Sequence, residues 1–256
     1  MEKKSLNTFA GHVPKPDWIK EFFDTGIIVP SGENQATRFR QFLFDSELLK
    51  KGKKRLPTTK LYDLVKSVGW YSETAWGLIL INLVYNNPQF RFYVENLPVD
   101  EEFSRLSVGK KLQDLGVSAK DANCITSSFK KFCETPLGTV LNFGKTTTKG
   151  RILDSLTRTK ANITDGRVFL YGLYKFAEAC GGNYQFTLSK LMDTGTESQG
   201  VSPIKIFGIS RDKAEQFLNG LNATRREFIS ATFTHDLEKI SLKSDKSSAD
   251  VLELFY

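Results

Sequence analysis

The chain is expected to be mainly α-helical with small β-hairpins: a helical domain followed by a winged helix-turn-helix domain. Three observations predict this. Apolar residues recur at helical spacing through most of the sequence. Hydroxyl residues ahead of these runs, and glycines behind them, sit where helix caps belong. Strict two-residue alternation is confined to short stretches near the C-terminus.

Taken in order, Pro16 and Asp17 open a short helix that Gly26 ends. A second helix runs from about Glu33 to Leu49, with Ala36, Phe39, Leu43 and Phe44 on one side and Asn34, Gln35, Arg38, Arg40 and Gln41 between them. Helix, turn, helix with a polar, basic outer face is how a groove-reading motif is built. Lys50, Lys51, Lys53, Lys54 and Arg55 put five cations into six residues, which marks a solvated loop. Leu61, Leu64, Val65 and Val68 form an amphipathic helix stopped at Gly69. The apolar run from Ala75 to Tyr85 is too short for a bilayer, which needs roughly 20 residues, and reads as a buried helix.

Ser118 caps a helix that reaches about Cys133. Thr139 to Phe143 and Ile152 to Thr159 are expected to pair as strands, with the basic connector 144–151 as domain junction or mobile loop. This places an N-terminal domain at 1–143 and a C-terminal domain at 151–256. Val168 to Cys180 is apolar almost all round and belongs at a domain centre. Residues 186–192 read as a short helix. Ser202-Pro203 starts a short helix that Gly208 stops. Ser210 caps another, carrying Ala214, Phe217, Leu218 and Leu221. Ile229, Ala231 and Phe233 alternate with polar residues, and Ile240 and Leu242 form the hairpin mate. A last short helix holds Val251, Leu252, Leu254 and Phe255. Helix, turn, helix, hairpin is the winged-helix order. No fixed-period internal repeat is evident.

The 256 residues hold 36 Lys and Arg against 29 Asp and Glu, a formal charge of +7, with pI ≈ 9.2. That surplus favours an anionic partner. With 40% hydrophobic and 25% charged residues, the composition excludes a disordered or fibrous chain. Cys124, Cys133 and Cys180 are odd in number and form no Cys-x-x-Cys pair. Together with the absence of an apolar leader, they point to free thiols in the cytoplasm.

Double-stranded DNA is the expected partner. Basic stretches at 50–55 and 145–158, including Lys145, Lys149 and Arg151, can neutralise phosphates. Arg38, Arg40 and Gln41 on one helix and Arg211, Lys213 and Gln216 on another are side chains that fork onto base edges. Arg225, Arg226 and the hairpin tip at His235 would reach the backbone beside the groove. Strand cleavage would call for a divalent metal, Mg²⁺ or Mn²⁺, on carboxylates such as Glu33, Asp45, Glu47, Asp165, Glu178 or Asp193. Thr234-His235-Asp236 could supply a base, though a turn explains it as well. Only two histidines occur, and no zinc spacing is present. No nucleotide motif is present either: Gly144-Lys145-Thr146 lacks the preceding glycine-rich loop.

Phe9-Ala10-Gly11-His12, then Trp18-Ile19, then residues 34–43 (Asn-Gln-Ala-Thr-Arg-Phe-Arg-Gln-Phe-Leu) carry a resemblance. So do the later blocks 182–193 and 200–208. The chain resembles an uncharacterised-domain family found beside PAPS-reductase-like proteins in bacterial DNA phosphorothioation and phage-defence loci. Ala10 stands where that family has serine. The resemblance implies DNA binding and strand nicking. It also implies cooperation with a cysteine desulfurase and a sulfur-transfer enzyme of PAPS-reductase or ATP-pyrophosphatase type. It assigns no catalytic residue. The alternative function is a non-catalytic adaptor that docks such a sulfur-transfer enzyme.

Overall fold

Hydroxyl and amide side chains start most of the helices. A computed structural model of the chain describes residues 5–52, 57–192, 199–234 and 237–256. They fold as two units, 1–162 and 163–256. Lys53, Lys54, Arg55, Asp193, His235 and Asp236 lie outside the described residues.

The N-terminal unit begins with α1 (Pro16–Thr25), ended by Gly26 in the left-handed region. Next come α2 (Glu33–Asp45), α3 (Lys60–Ser67, capped by Thr59) and α4 (Glu73–Asn86, capped by Ser72). The sequence suggested that α2 would reach Leu49. It stops at Asp45 because Glu47 turns to φ 60 and Leu49 bridges to Thr58. α4 is buried on nearly all sides, as its composition requires.

Pro88 marks the end of α4 as expected, and Asn87, the C-cap of α4, is at the same time the N-cap of a further helix, α5 (Pro88–Asn96). The Asn87 side chain accepts from the backbone of Gln89 and Phe90, so a cap followed by proline was the overlooked signal. Strand β1 (Glu102–Ser104), α6 (Arg105–Asp114), α7 (Ala119–Cys133) and α8 (Pro136–Thr139) follow.

Strands β2 (Gly144–Lys149) and β3 (Ile152–Arg158) form an antiparallel hairpin. β1 pairs with the other side of β3, so the sheet order is β1-β3-β2. The expected pairing of 139–143 is thereby corrected. Thr135 caps a helical turn there, and Asn142 adopts φ 58, which a strand does not tolerate. Residues 144–149 are hydrogen-bonded strand rather than a junction or loose loop. Gly144 is small for packing: a Cβ there would lie 2.5 Å from the Phe129 ring. The core of this unit is aromatic, with Phe9, Phe90, Tyr93, Phe129, Phe132 and Trp76 fully enclosed.

The C-terminal unit is built on α9 (Gly166–Ala179), whose Val168, Phe169, Leu170, Leu173, Tyr174 and Phe176 are all buried. Residues 186–192 divide into β4 (Gln185–Phe186) and α10 (Leu188–Met192). Then α11 (Pro203–Phe207), capped by Ser202 and stopped by Gly208, leads to α12 (Arg211–Thr224), capped by Ser210. The hairpin of β5 (Ile229–Thr234) and β6 (Leu237–Leu242) follows. β4 joins the free side of β6, giving the order β4-β6-β5. Helix α13 (Ser248–Leu252), with a full capping box from Ser247 and Asp250, closes the chain together with a 3₁₀ turn. The described chain is thus mainly helical with two small three-stranded antiparallel sheets. No helix among the described residues is long and apolar enough to cross a membrane.

Candidate nucleic-acid interface

On α2 the expected DNA contacts differ sharply in availability. Arg40 is exposed. The Arg38 guanidinium donates to the Thr8 carbonyl at 2.8 Å, tying the N-terminal segment to α2. Gln41 donates its amide to Asp45 at 2.6 Å. The segment that Arg38 holds contains Phe9, which is wedged between Phe132 and Phe90. Asn7 donates to Asp121 at 2.6 Å, and Lys131 donates to the Gly11 carbonyl at 2.6 Å. Ala10 and Gly11 carry φ of 47 and 80. The opening Phe9-Ala10-Gly11-His12 therefore serves as a strap over the core. Trp18 packs against Phe39 with Lys15 over its ring.

In the basic stretches, Lys50, Lys51, Lys145 and Arg151 are exposed. Lys149 pairs with Asp154 at 3.2 Å on the surface. Arg158, at the far end of the 145–158 stretch, cannot meet a phosphate. It is 1% exposed and donates to the Val94 carbonyl at 2.8 Å. Burial lowers its guanidinium to about 10, so it stays charged at neutral pH inside the fold.

On α12, Arg211 donates to Glu215 at 3.1 Å and to Glu238 of β6. Glu238 also accepts from the backbone and hydroxyl of Ser189 on α10. Lys213 lies 4.8 Å above the Phe217 ring. Gln216 and Arg225 line a cleft of about 370 Å³ with Asp165, Arg167, Gly220 and Thr224. Arg226 is exposed, and the Arg225 guanidinium donates to the Thr224 carbonyl.

The carboxylates considered for chemistry are mostly occupied with structure. Asp45, 7% exposed, accepts from Gln41 and, at 2.7 Å, from Asn87. Glu47 accepts from Asn86 at 3.1 Å. Both line a hollow of about 290 Å³ with Asn86 and Lys51. Asp165 caps α9 and forks onto Arg167. Glu178 takes the backbone N–H and hydroxyl of Ser248 at the start of α13. Glu33 is exposed in the first turn of α2.

A Mg²⁺ or Mn²⁺ ion wants an octahedral oxygen set, usually with one or two free carboxylates. Among the described residues no group of three or more His, Cys, Asp or Glu converges to hold one. The Asp45–Glu47 hollow fits poorly, because both Asp45 oxygens already accept amide donors. None of the three cysteines is in a disulfide and all are half-buried; burial pushes Cys133 up to about 12, away from the thiolate a nucleophile needs.

What the geometry defines is a helical protein with two helix–hairpin units and exposed cations, without an evident catalytic constellation among the described residues. The fold is shared with a solved protein. The structure described as "Magnesium ion-bound SspB crystal structure" superposes with a TM-score of 0.71 over 99% of this chain and 88% of that one, at 13% identity. No protein-family model matches the chain, and no curated protein does.

Proposed function

We propose that this chain binds duplex DNA as part of a bacterial phosphorothioation-linked defence system. In this reading its C-terminal unit is a winged helix-turn-helix. The observation that carries the reading is the β4-β6-β5 sheet with α12 packed against β5, following the α11–α12 turn. A helix of this kind enters the major groove while a neighbouring ribbon meets the backbone. Lys213 and Gln216 would face base edges. Arg225, Arg226, Lys145, Arg151, Arg40, Lys50 and Lys51, with Lys53, Lys54 and Arg55, would meet phosphates. The fold held in common with SspB and the resemblance of the opening segments support the assignment to that system. Nicking one strand, ahead of sulfur insertion by a partner of PAPS-reductase or ATP-pyrophosphatase type, is the activity the reading adds. It takes place in the cytoplasm; whether it needs Mg²⁺ or Mn²⁺ is what the plasmid test decides, since the described carboxylates do not converge on an ion.

The test is supercoiled plasmid incubated with purified protein in Mg²⁺, Mn²⁺ or chelator, beside a salt titration of duplex binding. Metal-dependent conversion to open circles supports nicking. Salt-steep binding without conversion supports a targeting subunit. Absence of both at moderate salt refutes the DNA reading.

One observation favours the second reading, an adaptor that docks the sulfur-transfer enzyme. Over its whole length α12 carries two cations, Arg211 and Lys213, against two acids, Asp212 and Glu215. Arg211 is also held by Glu238. Such a face is better matched to a mixed-charge protein surface than to a phosphate backbone.

A further inference from the structure

We infer that the N-terminal unit holds a second winged helix-turn-helix, residues 88–158, and that its α7 is the helix that meets the duplex. This rests on the DNA-binding reading and relocates its main contact.

The topology is the first ground. In the C-terminal unit the order is α9, β4, α10–α11, α12, β5, β6, and the leading strand pairs with the second hairpin strand. In the N-terminal unit the order is α5, β1, α6, α7, the one-turn α8, β2, β3; apart from that inserted turn the plan is the same, and again the leading strand pairs with the second hairpin strand. The sheets β1-β3-β2 and β4-β6-β5 follow one plan.

The turn is the second ground. Leu115-Gly116-Val117-Ser118 precedes α7, and Phe207-Gly208-Ile209-Ser210 precedes α12. Gly116 and Gly208 have φ of 83 and 64, left-handed values that favour glycine at a helix end. The Val117 N–H donates to the Leu112 carbonyl at 3.1 Å, and the Ile209 N–H donates to the Ile204 carbonyl at 3.2 Å. Each bond closes over the same number of residues. Ser118 accepts from the Asp121 N–H, and Ser210 from the Lys213 N–H. Ala122, Ile125 and Phe129 of α7 are buried as Ala214, Phe217 and Leu221 of α12 are. The repeat is too short and its spacers too unequal to show as a sequence period.

Charge then separates the two helices. Where α12 sets Asp212 and Glu215, α7 sets Lys120 and Asn123. Residues 105–134 hold six cations, Arg105, Lys110, Lys111, Lys120, Lys130 and Lys131, against Asp114, Asp121 and Glu134. Asp121 is turned toward Asn7 and Ser118, whose hydrogen bonds hold its carboxyl below the usual range. Arg105 reaches from α6 to the Asn123 side-chain oxygen Oδ1 at 3.2 Å, which leaves the amide donors of the exposed Asn123 for a partner. Lys120 and Asn123 thus stand in the first turns of α7, where a groove helix reads bases. Their chemistry suits guanine and adenine edges. Lys130 suits phosphate, and the exposed Lys145 and Arg151 lie on the following hairpin.

The test uses the full-length chain, a fluorescein-labelled duplex and anisotropy from low to moderate KCl. The Lys120→Gln/Lys130→Gln variant is compared with Arg225→Gln/Arg226→Gln. The first is expected to weaken binding and to lower the slope of log K against log salt by about one, through the phosphate contact of Lys130, with an unchanged melting curve because Lys120 is exposed and Lys130 half-exposed. Asn123→Ala should cost roughly 5- to 150-fold on a preferred sequence and little on random duplex. If the lysine pair leaves slope and affinity unchanged while the arginine pair flattens them, DNA binding stands and the assignment to α7 is overturned. If wild type binds no duplex, both fall. If polyglutamate binds as tightly as duplex and is lost in the lysine variant, the face belongs to an acidic protein partner instead.

Discussion

Replacing Phe9 by alanine should destabilise the N-terminal unit severely, although Phe9 lies in a terminal segment without regular secondary structure. The ring is fully enclosed, edge-on to Phe132 at 5.1 Å and to Phe90 at 6.2 Å. Its backbone neighbours are pinned by Arg38, Asn7 and Lys131, so the segment cannot collapse into the space. A buried Phe→Ala change of this kind costs ~3–5 kcal/mol, a large share of the ~5–15 kcal/mol that holds a domain together. With an m-value of about 2 kcal/mol/M, the urea midpoint should fall by about 1.5–2.5 M. Tryptophan fluorescence reports on this unit alone, because Trp18, Trp70 and Trp76 all lie within 1–162. Phe9→Leu keeps most of the volume and should cost under about 1.5 kcal/mol. A loss below about 1 kcal/mol for Phe9→Ala at unchanged m would refute the view that this motif is a core strap.

Other outcomes follow from single contacts. Ser118→Ala and Ser210→Ala each remove a cap and should each cost about 1 kcal/mol, read by thermal melts. Glu238→Gln should cost no more than about 1 kcal/mol, since its pair with Arg211 is partly solvated. By releasing the guanidinium it should steepen the salt dependence of duplex binding if α12 touches DNA, and leave it unchanged if α7 alone does. Cys133, raised to about 12 by burial, is neutral at pH 8 with a thiolate share of roughly one in ten thousand. Mass-mapped alkylation at that pH should find it unmodified while the chain is folded. Asp250 is held below 3.8 by the Ser247 hydroxyl and backbone. Its contribution is therefore present above the unfolded carboxyl range and fades as pH drops through the depressed value. An Asp250→Asn variant should flatten that acid limb of stability.

Much of the fold was legible because helix ends are decided locally. Ser202-Pro203, Gly208 and Ser210 delimit α11 and α12 within a few residues of chain, and alternation at 229–242 delivers the hairpin. Pairing was harder. That 144–149, and not 139–143, faces β3 depends on Phe129 leaving room only for glycine at 144 and on the turn at Asn142, both set by residues distant in sequence or by backbone context. The interface was least legible. Arg38, Arg158 and Arg211 look identical to free cations in a sequence. What occupies them is Thr8, Val94 and Glu238, brought alongside by folding.

By itself, then, the sequence determined the class of fold, the positions of most helices, the final hairpin and the overall surplus of positive charge, because each depends on neighbours along the chain or on composition. The tertiary structure alone decided which of those charges remain open to a partner. An ionic side chain is committed or available according to the carboxylates and carbonyls within about 4 Å of it, and those come from elements far apart in sequence.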